Sequence, residues 1–312
     1  MATLVADKRG SVQVSGVRDQ QPCGKPVGWK EALLRPGHAS LYESMVAELA
    51  EYLEESPALV AAACKAGAEG VAKDWERHHL HKGSPAASVV EFYRTTDSYL
   101  FDLTTFNAEY PYTETLSTLV ALAKERGLSK VLDFGSGIGS VGLFFAANGM
   151  DVTLADVSEP LREYAAWRFK VRGLKVRLIN LNSEPLPADS FDVVTAFDVF
   201  EHLPEPASAL RSIAASMKIG GLGFFNVTRF DANYPQHIAS YEEVLSSVSA
   251  TGFRRLWFLG GLEVFERVER NALSRAWYAC WGKLWYRFLY RRAIAVLEFL
   301  KIKSIVRKWI KG

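Results

Sequence analysis

Residues 133–142 read Asp-Phe-Gly-Ser-Gly-Ile-Gly-Ser-Val-Gly, with an acid two places ahead of the first of three alternating glycines. Glycine has no Cβ, so backbone bearing Gly135, Gly137 and Gly139 can turn tightly and approach a ligand closely. A carboxylate at Asp133 would attract a cationic amino group and repel a pyrophosphate. Gly137-x-Gly139-x-x-Gly142 also satisfies the dinucleotide fingerprint, which is weak by itself. A second acid, Asp156, closes the apolar run Asp151–Asp156, where a strand-end carboxylate can accept both hydroxyls of a ribose. A third group, Asp198, Glu201 and His202, follows the run 191–197, and His237 comes later. Imidazole is the side chain tuned to move a proton near neutral pH, which makes His202 the first candidate base and His237 the second.

The elements that must position these residues follow from the apolar periods. Val131-Leu132 reads as the end of a buried strand, and Val141, Leu143, Phe144 and Phe145 as the helix after the glycine turn. Strands are expected at about 130–134, 151–156, 176–181, 191–197 and 223–227, the last after a Gly220-Gly221 turn. Runs 253–258 and 262–268, joined by Gly260-Gly261, predict an antiparallel hairpin. A helix is expected over 113–127, and another opening at His237 after a loop 228–236. Upstream, 40–73 reads as helical, with Leu41, Met45, Leu49 and Leu53 in register and Pro57 starting a second helix. Residues 89–106 carry five aromatics, and 1–28, without a period, read as a flexible tail.

The run DFGSGIG resembles the first motif of class I S-adenosylmethionine-dependent methyltransferases, and DVFEHL (198–203) resembles a segment of the same family. The resemblance covers about 89–268 and points within the family to its UbiG/UbiE-like small-molecule type. It implies an α/β fold: a seven-stranded, mostly parallel doubly wound sheet with a closing antiparallel hairpin, an N-terminal helical lid and a C-terminal amphipathic extension. The domains expected are a tail (1–28), a helical substrate and lid region (29–112), the methyltransferase domain (113–269) and the extension (270–312). The cofactor implied is S-adenosyl-L-methionine, held by Asp133, Gly135, Gly137, Gly139, Asp156, Val157, Leu181 and Asp198, with Tyr93 and Tyr99 near the sulfonium. The family's adenine acceptor is an Asp; Asn180 stands at its place here, and Asn182 is the alternative. Catalysis is assigned to His202, His237 and Glu201, and the acceptor to a small molecule, a lipid-like molecule or a peptide.

Asp198, Glu201, His202 and His237 could also gather a divalent cation; most members with this stretch use none, and none is expected. His78, His79 and His81 read as a solvated helix end. A non-catalytic protein of the same fold and an NAD-dependent oxidoreductase are the competing readings.

Charge is unevenly spread. Residues 270–312 hold eleven Lys/Arg against Glu298 alone, a formal +10 within an overall +2, so the first 269 residues stand at −8. Trp277, Trp281, Leu284, Trp285 and Phe288 fall on one helical face there, with Lys283, Arg287 and Arg291 beside it. That pattern suits peripheral contact with an inner membrane face, packing on the acidic body, a homodimer contact or a cationic arm for a partner. Nucleic acid is not expected, because the rest of the chain is acidic. Three distant cysteines (23, 64, 280) and an N-terminus without an apolar core predict a reducing, cytoplasmic setting.

Overall fold

The computed structural model describes residues 26–109, 113–227, 234–259 and 262–269, together with two strands near the N-terminus. Those strands, β1 (Thr3–Ala6) and β2 (Val12–Ser15), pair antiparallel within the segment read as a flexible tail. Val12-Gln-Val-Ser alternates apolar and polar side chains with β-branched residues, a strand pattern short enough to pass as none. The Gly260-Gly261 turn and the extension 270–312 lie outside the described residues, as does most of the expected loop 228–236.

Seven strands form one sheet: β3 (Lys130–Phe134), β4 (Asp151–Asp156), β5 (Arg177–Asn180), β6 (Phe191–Ala196), β7 (Met217–Phe225), β8 (Phe253–Leu259) and β9 (Leu262–Arg267). Their order is β5-β4-β3-β6-β7-β9-β8. The first five are parallel, and β9 runs antiparallel to both β7 and β8, as expected of a doubly wound sheet closed by a hairpin. The order reverses between β3 and β6, and ligands of open α/β sheets sit beyond the carboxyl ends of the strands at such a point. Asp192, at the opposite end, ties β3 to β6 and β7 by accepting from the amides of Ser129 and Lys130 and from Lys218.

One expectation fails in β7. Gly220-Gly221 is no turn ahead of the strand but a bulge inside it: Phe191 pairs with Met217, yet Val193 pairs with Leu222. Gly220 has φ +85°, and a Cβ on Gly221 would lie 2.8 Å from the Asp192 carbonyl oxygen. Helix α11 (Tyr241–Ala250) begins four residues after His237, because the Ser240 hydroxyl caps it by accepting from the Glu243 amide.

Helices α7 (Thr113–Glu125), α8 (Ser140–Ala147), α9 (Glu159–Val171) and α10 (Pro206–Ser216) flank the sheet together with α11. The expected helical stretch 40–73 divides into α2 (Leu41–Leu53), α3 (Pro57–Lys65) and α4 (Gly67–Arg77), and the short α1 (Trp29–Leu33) precedes it. The aromatic segment is two helices, α5 (Ala86–Thr95) and α6 (Ser98–Ala108). This helical layer shares one core with the sheet: Leu33, Met45 and Leu49 belong to the same buried cluster as Val131, Phe144 and Leu154. Among the described residues no helix is long and apolar enough to cross a membrane.

Candidate active site

Asp133 ends β3 with its side chain buried. Thr195 of β6 donates its hydroxyl to one carboxylate oxygen at 2.7 Å, and the Gly142 amide donates to the other at 3.1 Å. Burial lifts this carboxyl to about 7 against those two hydrogen bonds. The residue therefore braces the mouth of the glycine turn, with a charge that an arriving cation would favour.

The turn is wound through left-handed backbone. Gly135, Gly137 and Gly139 have φ of +67°, +51° and +74°, and Gly139 is the N-cap of α8. A Cβ on Gly135 would strike Val199 Cγ2 at 2.5 Å, and one on Gly137 would meet Leu103 of α6 at 2.8 Å. The α6 helix of the N-terminal layer thus sits directly over the turn.

Asp156, at the end of β4, accepts the Gly137 amide and the Ser158 amide, each at 2.8 Å. A carboxylate has about four acceptor sites, so both oxygens keep capacity for ribose hydroxyls. Val157 and Leu181 sit beside it: Leu181 donates its amide to the Asp156 carbonyl, and the Val157 carbonyl accepts Asn182 Nδ2 at 2.7 Å. The Asn180 side-chain oxygen already accepts the amide and Nδ2 of Asn182, both at 3.0 Å. An adenine amine reaching Asn180 would have to displace Asn182.

The segment after β6 turns sharply. Asp198 has φ +53° and is locked to Asn226 at the end of β7 by two hydrogen bonds of 2.6 Å. A short 3₁₀ turn, Phe200–His202, follows, and the Glu201 carbonyl accepts the amides of Ile238 and Ala239. His202 and His237 are thereby brought ring to ring, with centroids 4.9 Å apart. One ligand atom from each of Glu201, His202 and His237 lies within 4.8 Å of the others; Asp198 is not in this group.

Tyr93 of α5 reaches the same place. Its hydroxyl is 3.0 Å from His202 Nδ1, which also lies 3.2 Å from the Gln236 carbonyl. With the proton on Nδ1, the ring can donate to that carbonyl and leave the lone pair on Nε2. Burial first, then His237, lowers the His202 pKa to about 3. The imidazole is neutral across the physiological range, with a far weaker proton affinity than the sequence reading expected of a base near neutrality. Tyr99 packs against Tyr93 at 5.7 Å, and burial raises both phenols well above their usual range. His78 and His81 bond only within their own helix end and turn, in keeping with the solvated reading.

Sequence reasoning missed Thr195, Asn226, and the buried pair Glu48 and Arg168. Each had a signal. Thr195 is a polar residue inside the apolar strand VVTAF, and Asn226 ends an apolar one. Glu48 sits in the buried stripe 41, 44, 45, 48, 49 of α2, and Arg168 in the stripe 161, 164, 165, 168, 169 of α9.

A parallel sheet reversing at β3 and β6, a glycine turn between two buried carboxylates and a helical layer over it define a class of protein. Residues 105–266 match the family model described as a methyltransferase domain. The chain belongs to that family and is a class I S-adenosylmethionine-dependent methyltransferase, with S-adenosyl-L-methionine as its cofactor. Relatives include ubiquinone biosynthesis O-methyltransferases. That of Vibrio vulnificus is 35% identical over 49% of this chain and 67% of its own length. That of Stutzerimonas stutzeri is 34% identical over 37% of this chain. The match spans only about half of the latter relative, 52% of its length. A solved methyltransferase from Aquifex aeolicus is 22% identical, covering 50% of this chain and 98% of that one, with a TM-score of 0.40.

Proposed function

We propose that the protein transfers the methyl group of S-adenosylmethionine to a hydroxyl of a small, planar, aromatic acceptor such as a phenol or catechol. The observation that carries this reading is the meeting of Tyr93 and His202 beyond the carboxyl end of β6. Around it lie Tyr99, His237 and Tyr234, whose ring stacks on His237 at 5.3 Å. Flat rings with polar edges suit a flat acceptor with a hydroxyl. The names of the relatives support O-methylation.

Methyl transfer is an in-line displacement at the sulfonium carbon, and orientation supplies much of the rate. Asp156 would grip the ribose, Asp133 and the glycine turn the methionine end, and Tyr93 would fix the orientation of His202. Nε2 of His202 would then accept a hydrogen bond from the acceptor hydroxyl. An imidazole whose conjugate acid has a pKa of about 3 orients that hydroxyl better than it deprotonates it. Incubation with S-adenosylmethionine and a panel of phenols, catechols and amines tests the reading. A gain of one CH₂ on a phenol or catechol supports it; methylation confined to amines refutes it.

A second reading of the same site is favoured by one observation, the three ligand atoms of Glu201, His202 and His237 within 4.8 Å. Neutral imidazole is the metal-binding form, and a divalent cation there would make the acceptor hydroxyl more acidic, offsetting the weak basicity of His202. Full activity after exhaustive chelation, with no heat on titrating Mg²⁺, Mn²⁺ or Zn²⁺, excludes it.

The extension 270–312 is proposed to dock on an anionic bilayer. The support is its sequence, a formal +10 beside a Trp-rich face.

A further inference from the structure

Arg168 of α9 is wholly buried, and so is Glu48 of α2, to which its Nε donates at 3.1 Å. Its Nη1 turns the other way, donating to the Ile138 carbonyl at 2.8 Å and to the Ser140 hydroxyl at 2.9 Å. Ile138 lies between Gly137 and Gly139 in the turn, and Ser140 is the first residue of α8. The second carboxylate oxygen of Glu48 is taken by Arg172, which goes on to the Leu33 carbonyl at 3.2 Å and does not reach the turn. Burial alone would raise the Glu48 carboxyl; the two arginines bring it below its usual range, so the cluster is ionised.

Burying such charges is costly, and apolar residues of the same volume are often as stable or more so. The cluster must therefore be explained by where it points. The Ile138 carbonyl and the Gly139 amide belong to one peptide plane, and that amide donates back to the Ser136 carbonyl at 2.9 Å, so fixing the first holds the turn in its wound form. The turn is gripped on both sides: the Gly137 amide by Asp156 and the Ile138 carbonyl by Arg168. A guanidinium can serve three acceptors in one plane, which an ammonium on a flexible stem does not reproduce.

We propose that Arg168 is a positioning residue for the S-adenosylmethionine turn, held on target by Glu48 of the N-terminal helical layer. The inference rests on the reading that this turn holds that cofactor. It gives α2 a part in cofactor affinity through Glu48 and Arg168.

The test is calorimetric titration of S-adenosylhomocysteine into the full chain and its variants, with thermal unfolding and kcat at saturating cofactor measured alongside. Arg168→Lys and Glu48→Gln are expected to weaken binding roughly tenfold, the scale of one charge-assisted hydrogen bond. Arg172→Ala also strips Glu48 of a partner but is expected to keep affinity within about threefold, and kcat at saturation should hold in all three. The triple variant Glu48→Leu, Arg168→Met and Arg172→Met removes all three charges while filling the space, so the answer does not depend on a fold with a stranded ion. It too should lose about tenfold. The inference is overturned if the Arg168 variants bind like the parent, or if Arg172→Ala weakens binding as much as they do. A parent protein that binds no S-adenosylhomocysteine would bring down the cofactor reading itself, a result distinct from either.

Discussion

Replacing Thr195 by Val should destabilise the protein by an amount that depends on pH. The side chain is buried in β6, and valine matches its shape, so packing changes little. What is lost is the hydroxyl that donates to Asp133 at 2.7 Å. Burial holds the Asp133 carboxyl at about 7, far above its ordinary 3.8. The native state therefore keeps this proton where the unfolded chain has released it. The residue's contribution to stability falls as pH climbs from 3.8 to about 7 and is level above. A hydrogen bond to the ionised form is worth about 1.5–3 kcal/mol and one to the neutral acid about 1 kcal/mol. Losing it should push the carboxyl up by roughly half to one and a half further pH units, at about 1.36 kcal/mol each. Urea unfolding at pH 5.5 and 8.5 reads the difference. Thr195→Val should cost about 1 kcal/mol at the lower pH and roughly 0.5–2 kcal/mol more at the higher. An equal cost at both pH values would refute the buried, titrating carboxylate beneath the turn.

Other outcomes follow from the same geometry. With His202 neutral down to about pH 3, the pH profile of kcat/KM between 5 and 7 should contain no inflection that disappears in His202→Gln, while kcat itself falls in that variant. Gly135→Ala places a Cβ 2.5 Å from Val199 at a φ of +67°, and should cost about 2 kcal/mol or more of stability and weaken cofactor binding. In liposome flotation, the full chain should rise with anionic vesicles and a variant ending at residue 269 should stay below; equal behaviour of the two contradicts membrane docking.

Much of the fold was legible because periodicity reports burial directly. The strands β3, β4 and β6, the glycine turn between β3 and α8 and the β8–β9 hairpin all carry local signals that tertiary packing reinforces. The bulge in β7 was hidden because Gly220-Gly221 has the same composition as a turn; only the jump in register from Phe191–Met217 to Val193–Leu222 distinguishes the two. The site divides in the same way. Asp133 and Asp156 stand at the carboxyl ends of strands and His202 in the turn that follows one, where position in the chain implies position in the crevice. Their partners do not: Asn226 lies 28 residues from Asp198, and Glu48 lies 120 from Arg168. A charged residue at an apolar helical position signals that a buried partner exists without saying which. The proton affinity of His202 was equally invisible, since it is set by burial beneath α5 and by His237, both products of the assembled layer.

The most direct test of the account is calorimetric titration of the purified full chain with S-adenosylhomocysteine, and separately with NAD, beside Asp156→Ala. The account predicts one site for S-adenosylhomocysteine, no heat with NAD, and a loss of roughly tenfold or more in the variant, since Asp156 holds the Gly137 amide and is the proposed ribose ligand. Saturable binding of NAD with none of S-adenosylhomocysteine would contradict it.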